Sequence, residues 1–189
     1  MTPIELLTTR RSVKKLGLPA PSAAHIENML QAATQVPDHG QLTPWRFVVM
    51  AGEAAQARLE RALLQAAQTL GLGEEGEAKA RQISHMAPLM IGVVAAPRLE
   101  SSRPKPEWEQ HLSAACAAYA IQLAAKAQGF DNAWITGPWV GSSPLRQAFG
   151  CAATDKIIAL LAIGTAADPL AGPKNTDLTR LLRDRKSVV

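Results

Sequence analysis

Apolar positions recur along this chain with two different periods, and the change of period marks its elements. "TPIE" opens with a helix start: Thr2 can cap, Pro3 suits the first helical position, and Glu5 can return a hydrogen bond to the cap. That helix is expected to end near "TTRRS". After "APS" a second helix is predicted, with Ile26, Met29, Leu30 and Ala33 on one face at helical spacing. The loop "VPDHGQLTPWRF" intervenes, and "RFVVMA" follows as a strand. A helix through "EAAQARLERALLQAAQTL" is broken by the glycines of "GLGEEGE", and a charged helix is expected from Glu74 to about Met86.

"PLMIGVVAA" is a continuous apolar run, as in a strand covered on both faces, and "SRPKP" is a surface connection. The longest predicted helix, "EWEQHLSAACAAYAIQLAAKAQG", has Gly129 as its C-terminal stop. It is apolar almost all round, so it should be central or lie in a subunit interface. "NAWITG" reads as a strand entering a loop, "SSPLRQAFG" as a short capped helix and "KIIALLAIGTA" as a buried strand. From Asp168 the chain reads as irregular, then helical from Asp177. Strands and helices do not alternate in regular βαβ units, which points to an α+β fold with a central mixed sheet surrounded by helices.

Composition narrows the class. The 189 residues suffice for a single domain over 1–189, and 47% hydrophobic with 19% charged residues is a globular profile. A net charge of +4 is mild, and only 4% of residues are aromatic, so a nucleic-acid surface with stacking platforms is not expected. The basic residues cluster in "RRSVKK" and "RLLRDRK". Such clusters could meet to hold one small phosphate, or could simply be solvated charge runs. Cys116 and Cys151 have no metal or redox spacing, and Cys116 in its alanine-rich helix reads as a buried small hydrophobe. With no membrane-spanning run and no signal segment ahead of the first helix, a reduced, cytoplasmic setting is expected.

Little in the chain looks reactive. His25, His39, His85 and His111 form no metal-ligand motif, so no metal site is expected. His25 falls away from the apolar face of its helix and reads as solvated, His85 as a helix-end residue and His111 as structural. No nucleophile elbow, dinucleotide fingerprint or P-loop is present. An enzyme without nucleophile, metal or acid–base pair would take its reactive atom from a cofactor.

"RRSVKKL", "VPDHGQLTPWRFVV", "WEQHLSAACAAYAIQLAAKAQGF" with "AWITG", and "LLAIGTA" together resemble, in order and spacing, the FMN-dependent nitroreductase family, and within it the short YdjA-type branch. The resemblance spans nearly the whole chain and fades after about Asp168. It implies the nitroreductase fold and a homodimer with two FMN sites at the interface, each built from both chains. The family's Arg-Arg-Ser is matched by Arg10, Arg11 and Ser12, whose implied role is to hold the FMN phosphate and ribityl chain, with Lys14 close by. Guanidinium forks suit phosphate oxygens. A helix C-terminus that favours cations would explain the two arginines but not the serine.

The crowded loop resembles the segment that reaches across to the partner's flavin. Pro37, Pro44 and Trp45 match the family pattern, while Asp38, Gln41 and Thr43 replace its Ser, Asn and Gln. Pro37, Asp38 and His39 match the branch's Pro-Asp-His, which implies that His39 contacts the flavin of the other subunit. Trp45 reads as a packing residue. Gln35 stands where the branch usually has an arginine in contact with that flavin, and it carries no charge. Ile135, Thr136 and Gly137 correspond to backbone that lies near the flavin ring, although a plain strand-to-turn exit would look the same. Ala125, Lys126, Ala127, Gln128, Gly129 and Phe130 lie where the branch meets NAD(P), yet their small, apolar character also reads as core.

The implied activity is a two-step oxidoreductase: hydride passes from NAD(P)H to FMN and then to a nitroaromatic, quinone or similar acceptor. No side chain is required as an obligatory acid or base. A flavin carrier or sensor without turnover would bind FMN through the same residues, and Gln35 keeps that alternative in play.

Overall fold

The computed structural model describes residues 1–100 and 102–168, together with Asp177, Thr179 and Leu181. The helix expected from Asp177 therefore lies outside the described residues, as does most of the second basic cluster.

Helix α1 (Pro3–Thr9) starts on the expected capping box: the Glu5 N–H donates to Thr2 Oγ1 and the Thr2 N–H to Glu5 Oε2, at 3.2 and 2.7 Å. Helix α2 (Ala23–Ala33) has a second box, in which His25 fills the third position. Its Nδ1 lies 2.9 Å from Ser22 Oγ, and its ring meets Phe130 edge-on at 5.0 Å. His25 is thus half-buried and employed at the cap, not solvated as expected, because at the third helical position its ring reaches back to Ser22 and packs against Phe130.

The remaining elements are β1 (Leu16–Gly17), β2 (Trp45–Ala51), α3 (Glu53–Thr69), α4 (Gly73–Ser84), β3 (Leu89–Ala95), α5 (Glu107–Ala127), β4 (Asp131–Ile135), α6 (Ser143–Ala148) and β5 (Lys156–Ala166). The sheet order is β1-β5-β3-β2, with β4 also paired to β5. Every ladder between these strands is antiparallel, which corrects the mixed sheet expected from the sequence; the parallel contribution is one isolated bridge, Ser12 to Asn132. The continuous apolar run of β3 arises because helices cover both faces of this sheet, a burial more typical of parallel strands.

Successive β3 residues enter two different cores, as a period of two requires. Met90 and Val94 join Leu59, Leu63, Ile83 and Phe149 of the α3, α4 and α6 side. Leu89, Ile91 and Val93 join Met29, Ala117 and Ile121 of the α2 and α5 side. Beyond α6, Arg46 of β2 donates to the Phe149 and Gly150 carbonyls and pairs with Asp155 at 3.1 Å, which fastens this turn to the sheet. Cys151 sits there half-buried, its thiol pushed up by burial more than Arg46 and Arg146 draw it down, so it stays protonated.

Helix α5 departs from expectation at Cys116. Its inner face is Gln110, Ser113, Ala114, Ala117, Ala118, Ile121, Gln122 and Ala125. Cys116 projects from the opposite side and is exposed, beside Leu112 and Tyr119. The helix carries apolar residues on both faces, and among the described residues nothing covers the cysteine on the outer one. Among the described residues, no helix is long and apolar enough to cross a membrane.

Candidate functional site

Helix α1 ends at Arg10, where the backbone turns to an extended conformation. The strand-like segment that follows is tied to β4: Ser12 bridges to Asn132, and the Val13 N–H donates to the Asn132 carbonyl at 3.0 Å. Asn132 is itself held, since it exchanges hydrogen bonds with Gln122 of α5, at 2.7 and 2.9 Å, in full burial. Backbone placed this firmly fixes where the Arg10–Ser12 side chains start. Arg11 donates to the Arg10 and Thr8 carbonyls and so completes the end of α1. Arg10 Nη1 is buried and has no hydrogen-bond acceptor among the described residues. A buried guanidinium nitrogen without an acceptor is costly, and an anionic oxygen is the group that would satisfy it. Further along the segment, Ser12, Lys14 and Lys15 are exposed and, with Val13 and Asp168, line a recess.

Strand β4 is tied to the Arg10–Ser12 segment at Asn132 and ends at Ile135, about 10 Å further on at strand rise. Ile135 is half-buried, while Thr136 and Gly137 are exposed at the exit. Gly137 adopts φ +85°, a region that side-chain-bearing residues avoid, and a short 3₁₀ turn over Pro138–Gly141 follows, anchored by buried Trp139. The fold thus joins Arg10–Ser12 and Ile135–Gly137 through one strand.

Gln35 and His39 belong to a different region. The loop after α2 is held by its own bonds: Asp38 accepts from the Thr43 N–H at 2.7 Å through its carboxylate and from the Gln41 N–H at 3.1 Å through its carbonyl. Gly40, Gln41 and Thr43 all take positive φ, at 85°, 53° and 48°, which explains why so short a loop can turn so sharply. Buried Trp45 closes it, as a packing residue should. His39 Nδ1 lies 2.7 Å from Glu109 Oε2, in the first turn of α5. Gln35 is exposed and donates to the Thr34 hydroxyl. Glu109 and Gln122 stand about 20 Å apart along α5 at helical rise, so the loop and the Arg10–Ser12 segment are anchored near opposite ends of that helix.

The stretch Ala125–Phe130 forms the end of α5 and its exit. Ala125 is buried, Lys126 pairs with Asp131 at 2.7 Å, and Gln128 donates to the His25 and Ala124 carbonyls. Gly129 takes φ +88° after the helix, and Phe130 is buried against His25. Ala127 and Gly129 are left exposed.

Of the other histidines, His85 has a hydrogen-bonded partner, while the buried His111 Nε2 has none among the described residues. His85 ends α4 and bonds to Glu60 at 2.9 Å, which holds that carboxyl below its ordinary value. His111 lies 3.5 Å from Glu107, too far for a good hydrogen bond; burial, then nearby Lys156, lower its pKa against the pull of Glu107. Among the described residues, no cluster of His, Cys, Asp and Glu could hold a metal ion.

Known proteins share this architecture. Residues 7–165 match the Nitroreductase family. The chain is 50% identical over 169 residues to a Haemophilus influenzae protein named "Putative NAD(P)H nitroreductase", covering 89% of this chain and 90% of that one. It is 42% identical over 165 residues to the Escherichia coli "Putative NAD(P)H nitroreductase YdjA", covering 87% and 88%. Among solved structures it resembles a nitroreductase-like protein from Bacillus cereus, with a TM-score of 0.82 and 22% identity over 99% and 97% of the two chains. A Desulfovibrio desulfuricans protein solved in complex with FMN gives 0.76 at 21% identity, over 98% of each. With its sequence matched along most of its length and its fold shared from end to end, this chain belongs to the nitroreductase family, in the branch that includes YdjA.

Proposed function

We propose that this chain is an FMN-dependent oxidoreductase that passes hydride from NAD(P)H to nitroaromatic, quinone or similar acceptors in two separate steps, as a cytoplasmic homodimer of single-domain chains. Bound FMN supplies the redox chemistry, taking hydride from one substrate and releasing it to the next. The buried, unsatisfied Arg10 Nη1 carries this reading, because it needs an anionic oxygen such as that of a phosphate. Arg10, Arg11 and Ser12 hold the phosphate and ribityl end. The backbone of Ile135, Thr136 and Gly137 faces the ring. Gln35 and His39 reach the flavin of the partner subunit, consistent with their anchorage near the other end of α5. Any contact that Ala125–Phe130 makes with NAD(P) is through Ala127, Gly129 and backbone, since the other side chains are engaged within the chain.

The homodimer is supported by the outer face of α5, where Leu112 and Tyr119 are exposed beside Cys116, and by Ile4 and Leu7 of α1, 68% and 47% exposed. A flavin carrier without turnover is the second reading, favoured by the uncharged, exposed Gln35. One experiment separates them: purified protein is loaded with FMN, made anaerobic and given NADPH or NADH. Bleaching at flavin wavelengths supports the oxidoreductase, a bound flavin that stays yellow supports the carrier, and a chain that refuses FMN contradicts both.

A further inference from the structure

We propose that Glu109 is a positioning residue for His39, fixing its imidazole so that Nε2 is the nitrogen presented to the flavin of the partner subunit; the inference rests on the function proposed above. The contact between His39 Nδ1 and Glu109 Oε2, at 2.7 Å, has the length of a charge-assisted hydrogen bond. An ionised carboxylate has no hydrogen to give, so the proton on this line belongs to Nδ1. That choice leaves Nε2 as the open nitrogen, an acceptor in the neutral ring and a donor in the charged one.

Neighbouring groups are otherwise engaged. Asp38, adjacent to His39, spends its carboxylate on the Thr43 N–H. Glu107, on the same turn as Glu109, lies toward His111 and Lys156. The Lys105 side chain packs along Gly40, where a Cβ would come within 3.0 Å of its Cε, and so walls the loop from below. Glu109 sits in the first turn of α5, the end of the helix that attracts negative charge. The His39 side chain is 61% exposed and that of Glu109 28%, so the better-buried carboxylate is the fixed member and the imidazole the presented one. Exposed ion pairs add little to stability, which leaves orientation as what this pair provides.

The test uses the full chain with ¹⁵N-labelled histidine and the variants E109Q and H39Q. In the wild type, the neutral His39 ring should be the Nδ1–H tautomer by long-range ¹⁵N correlation; in E109Q that preference should be lost while the melting temperature is kept. The FMN dissociation constant should rise about tenfold in E109Q and in H39Q, and no further in the double variant, as expected of residues that act as one unit. A wild type that binds no FMN would sink the proposed function and this inference with it. Wild-type FMN binding alongside an E109Q variant that keeps either the tautomer or the wild-type affinity would overturn the inference alone.

Discussion

On the inner face of α5, Ala114, Ala117, Ala118, Ile121 and Ala125 are fully buried against the sheet, whereas on the outer face Leu112 and Tyr119 remain 56% and 38% exposed with Cys116 open beside them. Both faces are built from apolar and small residues, so composition does not tell them apart. What separates them is supply: among the described residues, a sheet covers one face and nothing covers the other. An apolar face left open on an otherwise closed fold is where a second subunit would gain most.

The sharpest way to test the difference is to damage each face in turn. Ile121→Ala should remove about 2–5 kcal/mol of folding stability, because the cavity it leaves lies between helix and sheet, and urea unfolding would read it. Leu112→Asp combined with Tyr119→Asp should leave the monomer's stability nearly intact but weaken dimerisation by about a hundredfold, near 3 kcal/mol, by sedimentation. If the single and the double variant unfolded the chain equally, the two faces would not differ as described.

Arg10→Ala carries the comparison to the proposed flavin site. Its Nη1 has no acceptor among the described residues, so the melting temperature should hold, while FMN affinity should fall by about tenfold to a hundredfold, the value of a hydrogen bond to a charged group. The smallest effect concerns His111, at the margin of the inner face. Its pKa is lowered in the folded chain, chiefly by burial, so as pH falls through the ordinary 6.5 the unfolded chain takes up a proton before the native one does. Stability therefore drops on the acid side, and His111→Asn should flatten that part of the melting-temperature profile.

Much of this was legible in the sequence. The capping box at Thr2–Glu5, the run of β3 and the glycine stop after α5 follow from local rules, and these three features formed where the sequence indicated. Strand β1 was not legible, because two residues have no period and are held only by pairing to Thr165 and Ala166. Antiparallel pairing was hidden for a different reason: burial on both faces erases the alternation that usually signals it. Of the site, the Arg-Arg-Ser segment and the loop were visible as motifs. Glu109 was not, since its tie to His39 spans 70 residues and depends on where α5 begins relative to the loop. Cys116 was misplaced because a helix apolar all round does not reveal which of its faces the chain itself covers.

Sedimentation of the FMN-loaded protein, followed at a flavin wavelength, tests the central claim most directly. The account predicts flavin absorbance travelling with a species of twice the 20.1 kDa chain mass, and lost from that species when Leu112 and Tyr119 are made acidic. Flavin bound stoichiometrically to a single chain, or a stable dimer that takes up none, would contradict it.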